Sequence, residues 1–597
     1  MRELLMGNEA IAMGALMAGV QVVSGYPGTP STEVLETVAK RNPGEIYVEW
    51  SINEKAALEV AAGASYSGAR TMVTMKQVGL NVASDPLMCV NYIGVKGGMV
   101  ILVCDDPGPI SSQTEQDTRH FAKYAKIPVF DPVDAREAYE MIQTAFEYSE
   151  KYETPVIFRS TTRVSHSCAS IEVGTFPVHK QPEGFIKHKK WVIFPKLSYQ
   201  NKIKLEQREE VLAKDFSELS YNQVTGEGKV GIACGGVSYT YIKEELNKTE
   251  ENYKLFKVAT PFPFPERLAE QFLEGLEKVL VFEELDPVIE DALIYLCGKK
   301  QLTIEFFGKR NGFVPNAGEL STLIASQCIS KFFGKDYENK VASFADAPKL
   351  PIRPPVLCAG CPHRASFYAV KQAMKGKKAV FCGDIGCYTL GNAAPLDMVD
   401  TCLCMGAGIT IAQGIERAGN GSTNIAFIGD STFFHTGIVG LINAVYNKTD
   451  EMIVILDNST TAMTGHQTNP GIGKTVMGEV APVVSIKKLV EAIGVSYLKE
   501  VDPLDQKEAV KAVQEAQAVD GVRVIIFKSP CIAITKKREE MSVCTGKCTG
   551  CKKCIRELGC PALFMQDGTI QIDKSVCTGC GLCSQVCPFG VLKKEED

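Results

Sequence analysis

The chain has 597 residues, of which 45% are hydrophobic and 22% are charged, and its formal net charge at pH 7 is −6. This length suffices for three to five globular domains, and the negative net charge argues against a nucleic-acid partner. An apolar stretch over residues 10–23 is short and lacks a basic region before it. It predicts the first buried helix of a domain, not a signal peptide or a membrane span. We therefore expect a cytoplasmic protein that contacts no membrane.

A helix that begins with a glutamate and a strand are predicted within residues 46–78. Glu54 precedes a run of small residues, which predicts a helix, and TMVTM (71–75) predicts the next strand. An apolar setting of this kind keeps a carboxyl group protonated, as an acid catalyst requires. The simpler interpretation is a glutamate favoured by the dipole of the helix N-terminus. Glu49 and Glu59 are the rival carboxylates, and Glu59 is less well placed because it lies five residues into the helix.

Residues 228–335 are predicted to form an α/β domain. The domain opens with KVGIACGGVSYTYIKEEL, which predicts a strand, a glycine turn and a helix. We interpret the Gly-Gly pair as a structural turn, because alone it is a weak signal for a nucleotide site. Residues 181–227 and 336–350 are polar, lysine-rich or irregular, and are predicted to be linkers.

The clearest strand–helix–strand pattern spans residues 424–458. One apolar strand ends at Gly429-Asp430, a helix follows, and the next apolar strand ends at Asp457-Asn458. Parallel strands bring such ends to one edge of a sheet, where ligands bind. Asp430 and Asn458 could therefore hold one Mg²⁺, which takes its other ligands from phosphates and water. The alternative is an ordinary βαβ crossover with polar loop ends.

This pattern resembles the thiamine diphosphate motif, in which GDG is followed after 25 to 30 residues by Asn. Ser431 stands where the motif has its second glycine, which is a departure. The resemblance implies a site for Mg²⁺ and the cofactor diphosphate made by Gly429, Asp430, Asn458 and the carbonyl of Thr460. Glu54 would then be the glutamic acid beside the aminopyrimidine ring of the cofactor.

Two cysteine runs lie near the C-terminus. The second run has the spacing C-x2-C-x2-C-x3-C-P of two-cluster bacterial ferredoxins, and the first differs only in a longer final gap. In such proteins the cysteine before proline binds the other cluster. One predicted [4Fe-4S] cluster is therefore held by Cys548, Cys551, Cys554 and Cys587. The other is held by Cys560, Cys577, Cys580 and Cys583.

The alternative for these runs is a pair of zinc sites, but zinc favours two C-x2-C pairs over triplets of this kind. The segment ALFMQDGTIQID (562–573) between the runs predicts a hairpin with an Asp-Gly turn, as in a ferredoxin. Cys544, just upstream, receives no role.

Together these features resemble the 2-oxoacid:ferredoxin oxidoreductase family. SGYPGTPSTEV (24–34) is similar to its substrate and cofactor loop, and residues 53–70 are similar to its glutamate helix. LCAGCPHR (357–364) and GDIGCYTLG (383–391) resemble the arylpyruvate branch of the family.

The resemblance implies an α/β fold with two thiamine-diphosphate-binding-fold domains, a third α/β domain like the C-terminal domain of transketolase, and a small ferredoxin domain with two [4Fe-4S] clusters. The expected boundaries are 1–180 for the pyrimidine domain, 181–227 for a linker, 228–335 for the third domain, 336–350 for a linker, 351–540 for the diphosphate and Mg²⁺ domain, and 541–597 for the ferredoxin domain.

Further roles follow from the resemblance one residue at a time. Thr29 would approach the substrate carboxylate or keto group, although it could also cap the following helix. Met405 would support the bent form of thiamine, or else be a buried core methionine. Arg119 would meet a substrate carboxylate, or else be a solvated surface residue. His363 and His466 lie in motif segments and receive no role.

The resemblance also suggests a third [4Fe-4S] cluster beside the thiamine site. Its ligands would be Cys358, Cys361, Cys387 and Cys531. Against it, the sequence after the first pair departs from that of relatives, and Cys382, Cys402 and Cys404 are spare thiols expected to be buried. About twelve iron atoms per chain would support the third cluster, and eight would exclude it.

The implied reaction is oxidative decarboxylation of an arylpyruvate (indolepyruvate, phenylpyruvate or 4-hydroxyphenylpyruvate) with coenzyme A, giving aryl-acetyl-CoA, CO₂ and electrons for ferredoxin. The implied partner is a small β subunit in a heterodimer or heterotetramer. The alternatives are the same chemistry on pyruvate, 2-oxoglutarate or branched-chain 2-oxoacids, a non-redox thiamine decarboxylase, and an electron-transfer subunit whose thiamine fold is only a scaffold.

Overall fold

The computed structural model describes residues 1–177, 181–335, 348–419, 421–536, 540–543, 546 and 548–594. The chain divides into two compact units, residues 1–344 and 345–597, each built on mainly parallel sheets. Most of the predicted linker 336–350, and Cys544, lie outside the described residues. Among the described residues, no helix has the length and apolar character that a membrane crossing requires.

The first unit begins with a six-stranded sheet and a separate strand pair. The strands are β1 (Arg2–Met6), β2 (Val22–Gly25), β3 (Tyr47–Trp50), β4 (Thr71–Lys76), β5 (Met99–Asp105), β6 (Val129–Phe130), β7 (Val156–Thr161) and β8 (Cys168–Glu172). The helices are α1 (Gly7–Met17), α2 (Thr32–Arg41), α3 (Glu54–Tyr66), α4 (Gln77–Val82), α5 (Ser84–Ile93), α6 (Thr118–Ala125), α7 (Ala135–Lys151) and α8 (Thr162–His166).

The order in this sheet is β3-β2-β4-β5-β7-β6, and every neighbouring pair is parallel. Strand β5 is buried along its whole length, as expected where helices cover both faces of a parallel sheet. The predicted first helix, the helix that begins at Glu54 and the TMVTM strand are confirmed as α1, α3 and β4.

A second sheet of the first unit has the order β13-β12-β10-β11-β9, with β9 antiparallel to β11. Its strands are β9 (Gln223–Gly226), β10 (Val230–Gly235), β11 (Lys254–Val258), β12 (Lys278–Phe282) and β13 (Glu305–Phe307). The helices of this part are α9 (Pro195–Glu218), α10 (Ser238–Leu246), α11 (Glu266–Leu273), α12 (Val288–Lys300) and α13 (Thr322–Phe332). The predicted strand, turn and helix at the start of this domain are confirmed as β10 and α10.

The segment 181–227, predicted as an irregular linker, contains the 24-residue helix α9 and the edge strand β9. Leu205, Leu212 and Phe216 are buried on one side of α9, and their spacing of seven and four residues is that of a helix face. The ring of Phe216 packs 5.4 Å from that of Phe130. These few apolar residues stand among many polar ones, so composition alone concealed the helix.

The second unit contains a five-stranded sheet with the order β14-β15-β16-β18-β17, in which every neighbouring pair is parallel. Its strands are β14 (Ala379–Cys382), β15 (Thr423–Gly429), β16 (Glu451–Asp457), β17 (Tyr497–Val501) and β18 (Val522–Lys528). Its helices are α14 (Pro362–Ala373), α15 (Ala407–Arg417), α16 (Asp430–Thr432), α17 (Ile438–Tyr446), α18 (Ile486–Ile493) and α19 (Gln506–Gln517). The predicted strand–helix–strand unit is confirmed as β15, α16–α17 and β16.

A small C-terminal module completes the second unit. It contains β19 (Met541–Val543), α20 (Lys553–Leu558), β20 (Leu563–Gln566), β21 (Thr569–Ile572), α21 (Leu582–Val586) and β22 (Leu592–Lys594). The antiparallel pair β20–β21 confirms the predicted hairpin. Asp567 and Gly568 at its turn have φ angles of 47° and 76°, as a tight hairpin turn requires at both central positions.

Candidate functional site

The predicted cation ligands meet at one edge of the second unit's sheet. Asp430 follows β15 and Asn458 follows β16, the parallel neighbour of β15. Both residues and Thr460 are buried. The hydroxyl of Thr461 donates to that of Ser431 at 3.0 Å and so joins the two loops.

The Asp430 carboxylate fits a bound cation. Its Oδ1 accepts from the backbone N–H of Ser431 at 2.8 Å, and its Oδ2 accepts from the Asn469 amide at 3.2 Å. Among the described residues, no cationic side chain forms an ion pair with it. Burial and the nearby carboxylate of Asp457 raise the pKa of Asp430 to about 7. A divalent cation would offset this cost of burying negative charge.

His363 orients Asn458, a role that the sequence did not reveal. The Asn458 Nδ2 donates to His363 Nε2 at 3.1 Å, while Asn458 Oδ1 accepts from the Thr460 backbone N–H at 3.2 Å. Burial lowers the pKa of His363 to about 4, so the ring is neutral and its Nε2 can accept. By contrast, His466 lies exposed on the loop after β16.

Gly429 leaves room for Tyr388, a second residue that sequence reasoning missed. A Cβ on Gly429 would overlap the Tyr388 ring. The Tyr388 hydroxyl lies 3.1 Å from Asp384 Oδ2, and Asp384 Oδ1 accepts from the Gly406 backbone N–H at 2.7 Å. Met405 precedes that glycine and is half-buried, so the alternative of a buried core methionine is wrong.

In the first unit, Glu54 is the buried one of the three candidate glutamates. It is 5% exposed, and a Cβ added to Gly79 would lie 2.6 Å from its Oε1. Asn53 caps the helix that Glu54 begins, by accepting from the backbone N–H of Ala56 at 2.8 Å. Glu49 instead accepts from two neighbouring hydroxyls, and Glu59 is exposed and pairs with a lysine.

Thr29 lies half-buried in the loop between β2 and α2. The residue before α2 is Ser31, so the alternative that Thr29 caps this helix is wrong. The backbone carbonyl of Thr29 accepts from the Ser111 hydroxyl at 3.2 Å.

Both interpretations of Arg119, as a ligand of the substrate carboxylate and as a solvated surface residue, are wrong. Its side chain is buried and ion-paired with Asp117 at 2.6 Å and with Glu283 at 2.7 Å. Its Nη2 also donates to the carbonyls of Glu284 and Asp286. Arg119 is therefore neither a solvated surface residue nor free to bind a substrate carboxylate.

The cysteines of the C-terminal module line two cavities. One cavity is lined by Cys560, Cys577, Cys580 and Cys583. The other is lined by Cys548, Cys551, Cys554 and Cys587. These are the two sets that the spacing predicts. In addition, the backbone N–H of Gly579 donates to Cys577 Sγ and that of Ile570 to Cys548 Sγ, bonds of the kind that tune cluster potential.

In the suggested third cluster set, the Cys358 thiol lies near those of Cys361, Cys387 and Cys531. Burial, and then the neighbouring thiols of Cys531 and Cys358, raise the pKa of Cys387 to about 11. Burial raises the pKa of the Cys361 thiol to about 12. Backbone hydrogen bonds partly oppose this rise, and the nearby thiol of Cys358 adds to it. The backbone N–H of Cys531 donates to the carbonyl of Asn458 at 2.9 Å, which places this set beside the candidate cation site.

Of the three spare thiols, Cys382 is buried as expected, whereas Cys402 and Cys404 are exposed, so that part of the prediction is wrong. Both exposed thiols lie in the stretch between β14 and α15.

The C-terminal module packs against α14 within the second unit. The buried guanidinium of Arg364 donates to the carbonyls of Leu357, Leu558 and Gly559. Cys361 and Arg364 also line the cavity of the Cys577 set. Helix α14 thus contacts both the five-stranded sheet that carries Asp430 and Asn458 and a candidate cluster site.

Three protein-family models match parts of this chain. Residues 13–254 match the family model of pyruvate flavodoxin/ferredoxin oxidoreductase, thiamine diP-bdg. Residues 384–527 match the thiamine pyrophosphate enzyme, C-terminal TPP binding domain. Residues 570–593 match the 4Fe-4S binding domain.

Relatives that match nearly the whole chain show which members of the family it resembles in sequence and length. The chain is 41% identical to indolepyruvate oxidoreductase subunit IorA of Pyrococcus horikoshii, over 99% of this chain and 96% of that one. It is 42% identical to the subunit of the same name from Archaeoglobus fulgidus, over 99% and 97%. The 2-oxoglutarate synthase subunit KorA of Archaeoglobus fulgidus is 25% identical over 51% of this chain and 94% of that one. The chain therefore belongs to the 2-oxoacid:ferredoxin oxidoreductase family, and within it to the indolepyruvate oxidoreductase subunits, so it is part of an enzyme that oxidises 2-oxoacids.

Proposed function

We propose that this chain oxidatively decarboxylates arylpyruvates with coenzyme A, giving aryl-acetyl-CoA and CO₂. The redox part of the proposal rests on the hydrogen bond from the backbone N–H of Cys531 to the carbonyl of Asn458, and its aryl substrate rests on the names of the relatives. This hydrogen bond joins a predicted cluster ligand to the backbone of a predicted Mg²⁺ ligand. A cofactor site and its first electron acceptor would thus lie at the same edge of the sheet, after the parallel neighbours β16 and β18.

The strand ends fit Mg²⁺ because they combine a buried, cation-free carboxylate with amide and carbonyl oxygens. Asp430, Asn458 and the carbonyl of Thr460 would hold the ion, and Gly429, which leaves room for the Tyr388 ring, would lie beside it. When bound, thiamine diphosphate supplies the nucleophilic carbon and the electron sink for removing CO₂.

Other residues of the chain act around the cofactor. Glu54, the buried one of the three candidate glutamates, would hold a proton at the aminopyrimidine ring. Thr29 would contact the substrate. Met405 would pack against the thiamine, where its half-buried position leaves it accessible.

The three cysteine sets would hold [4Fe-4S] clusters, which would supply one-electron transfer. The set beside Asn458 would be the first from the cofactor site. The cavity of the Cys577 set, which Cys361 also lines, would be next. Cys583 and Cys554 interact across the two cavities, and Cys551 of the last set is exposed, which suits transfer to an external ferredoxin.

The names of the relatives describe them as subunits. We therefore propose a small β subunit as partner, in a heterodimer or heterotetramer, with coenzyme A as acyl acceptor, ferredoxin as electron acceptor and the cytoplasm as location.

The test is an anaerobic assay of the chain with its β subunit, thiamine diphosphate, Mg²⁺ and coenzyme A. Reduction of ferredoxin is followed with indolepyruvate, phenylpyruvate, 4-hydroxyphenylpyruvate, pyruvate, 2-oxoglutarate and a branched-chain 2-oxoacid. Coenzyme A-dependent reduction selective for aryl substrates supports the proposal. Preference for another 2-oxoacid overturns the aryl assignment, and aldehyde release without reduction indicates a non-redox decarboxylase.

A further inference from the structure

Lys76 lies beside both predicted catalytic residues of the first unit. It is the last residue of β4, which pairs with β2, the strand that leads into the Thr29 loop. A Cβ added to Gly28 in that loop would lie 2.9 Å from Lys76 Cδ. The aliphatic part of the lysine therefore packs directly against the loop.

The ammonium group of Lys76 has one acceptor among the described residues. Its Nζ donates to the carbonyl of Ser111 at 2.9 Å, and the hydroxyl of the same serine donates to the carbonyl of Thr29. An ammonium group has three donors. Two of them are therefore left for water or a ligand.

No carboxylate of the described residues pairs with this lysine. Asp106 and Glu54 are near enough to raise its pKa, yet burial acts more strongly and lowers it. Asp106 already accepts from Thr162 at 2.6 Å and from the Ser111 backbone at 2.8 Å. A half-buried cation without a counter-ion is unfavourable, and an anionic ligand would relieve the cost.

The neighbouring cations are already committed. Arg119 is paired with Asp117 and Glu283. Arg159 pairs with Asp105 and Asp131. Unlike these two arginines, Lys76 has no carboxylate partner among the described residues, so its charge can be met by a substrate anion.

We propose that Lys76 binds the carboxylate group of the 2-oxoacid substrate, which rests on the function proposed above. The carboxylate leaves as neutral CO₂, so an ion pair with it stabilises the bound substrate more than the transition state. Loss of Lys76 should therefore raise KM without lowering kcat. Truncating one partner of a hydrogen-bonded charge pair predicts an increase in KM of roughly 30-fold or more.

The test compares Lys76→Met with Lys76→Arg, which keeps the charge, and with Lys123→Met, which removes an exposed lysine from α6. Each variant is assayed with its β subunit on phenylpyruvate. Calorimetry then measures binding of 3-phenylpropionate and of its neutral amide, neither of which can react, and of thiamine diphosphate.

The proposal expects the wild type to bind the carboxylate more tightly than the amide. Lys76→Met should lose that preference and raise KM, Lys76→Arg should recover part of both, and Lys123→Met should change neither. Equal binding of carboxylate and amide by the wild type, or an unchanged KM in Lys76→Met, would overturn it. An equal loss of thiamine diphosphate affinity in Lys76→Met would also overturn it, by assigning the lysine to the cofactor. A wild type that oxidises no 2-oxoacid would instead refute the proposed function.

Discussion

Replacing Arg364 with methionine should release the C-terminal module from the rest of the second unit. The Arg364 side chain is 4% exposed and donates to the carbonyls of Leu558 and Gly559, which lie at the end of α20. Methionine fills most of the same space but offers no hydrogen-bond donor. The two carbonyls would then be buried without a partner.

The expected effect can be worked from these two bonds. A hydrogen bond to a charged donor contributes about 1.5–3 kcal/mol, so docking of the module should weaken by about 3–6 kcal/mol. Each 1.4 kcal/mol is about tenfold in an equilibrium constant. The undocked population should therefore rise roughly 100- to 20,000-fold.

Hydrogen exchange of the α20 amides measures that population, since exchange through undocking accelerates in proportion to it. Lys371→Met is the matched control, because Lys371 lies on the same helix but donates to the carbonyls of Pro395 and Leu396, both at 2.7 Å. Equal exchange rates of the α20 amides in Arg364→Met and in the control would refute the reasoning.

Three further predictions follow from single contacts. Gly429→Ala should weaken thiamine diphosphate binding at least tenfold in calorimetry, because its Cβ would overlap Tyr388, whereas Gly414→Ala has no atom within 4 Å of its Cβ and should bind normally; equal affinities would contradict this. Cys387→Ser should lower the iron content from about twelve to about eight atoms per chain, and an unchanged content would exclude that ligand. Burial raises the pKa of Glu284 from 4.5 to about 7, so stability present at low pH is lost as pH rises through 7, by up to about 3 kcal/mol. Glu284→Gln should therefore gain thermal stability over the wild type at pH 8.5 relative to pH 5.5, and a pH-independent difference in Tm would contradict this.

Features set by short stretches of chain could be predicted from the sequence. The cysteine sets follow from spacing, because residues three apart wrap one side of a cluster. The strand ends at Asp430 and Asn458 could be predicted because two apolar strands are joined there by one helix. In each case the residues that matter are close in sequence or lie at equivalent ends of neighbouring strands.

Features that depend on distant partners could not be predicted. Arginine is a residue type that usually lies at the surface, but Arg119 is buried and forms an ion pair with Glu283, which is 164 positions away. His363 orients an asparagine 95 positions away. The surroundings of Lys76 are formed by loops at residues 28 and 111, and no local sequence pattern connects these loops. The domain boundaries and the roles of the individual site residues stay predictions.

The most direct test of the central claim is a single-turnover experiment. The anaerobic complex with thiamine diphosphate, Mg²⁺ and coenzyme A is mixed with one equivalent of phenylpyruvate, frozen, and examined by electron paramagnetic resonance. The account predicts signals of reduced [4Fe-4S] clusters that require both the substrate and thiamine diphosphate and that are abolished in Glu54→Gln. Clusters that dithionite reduces but that no 2-oxoacid reduces would contradict it.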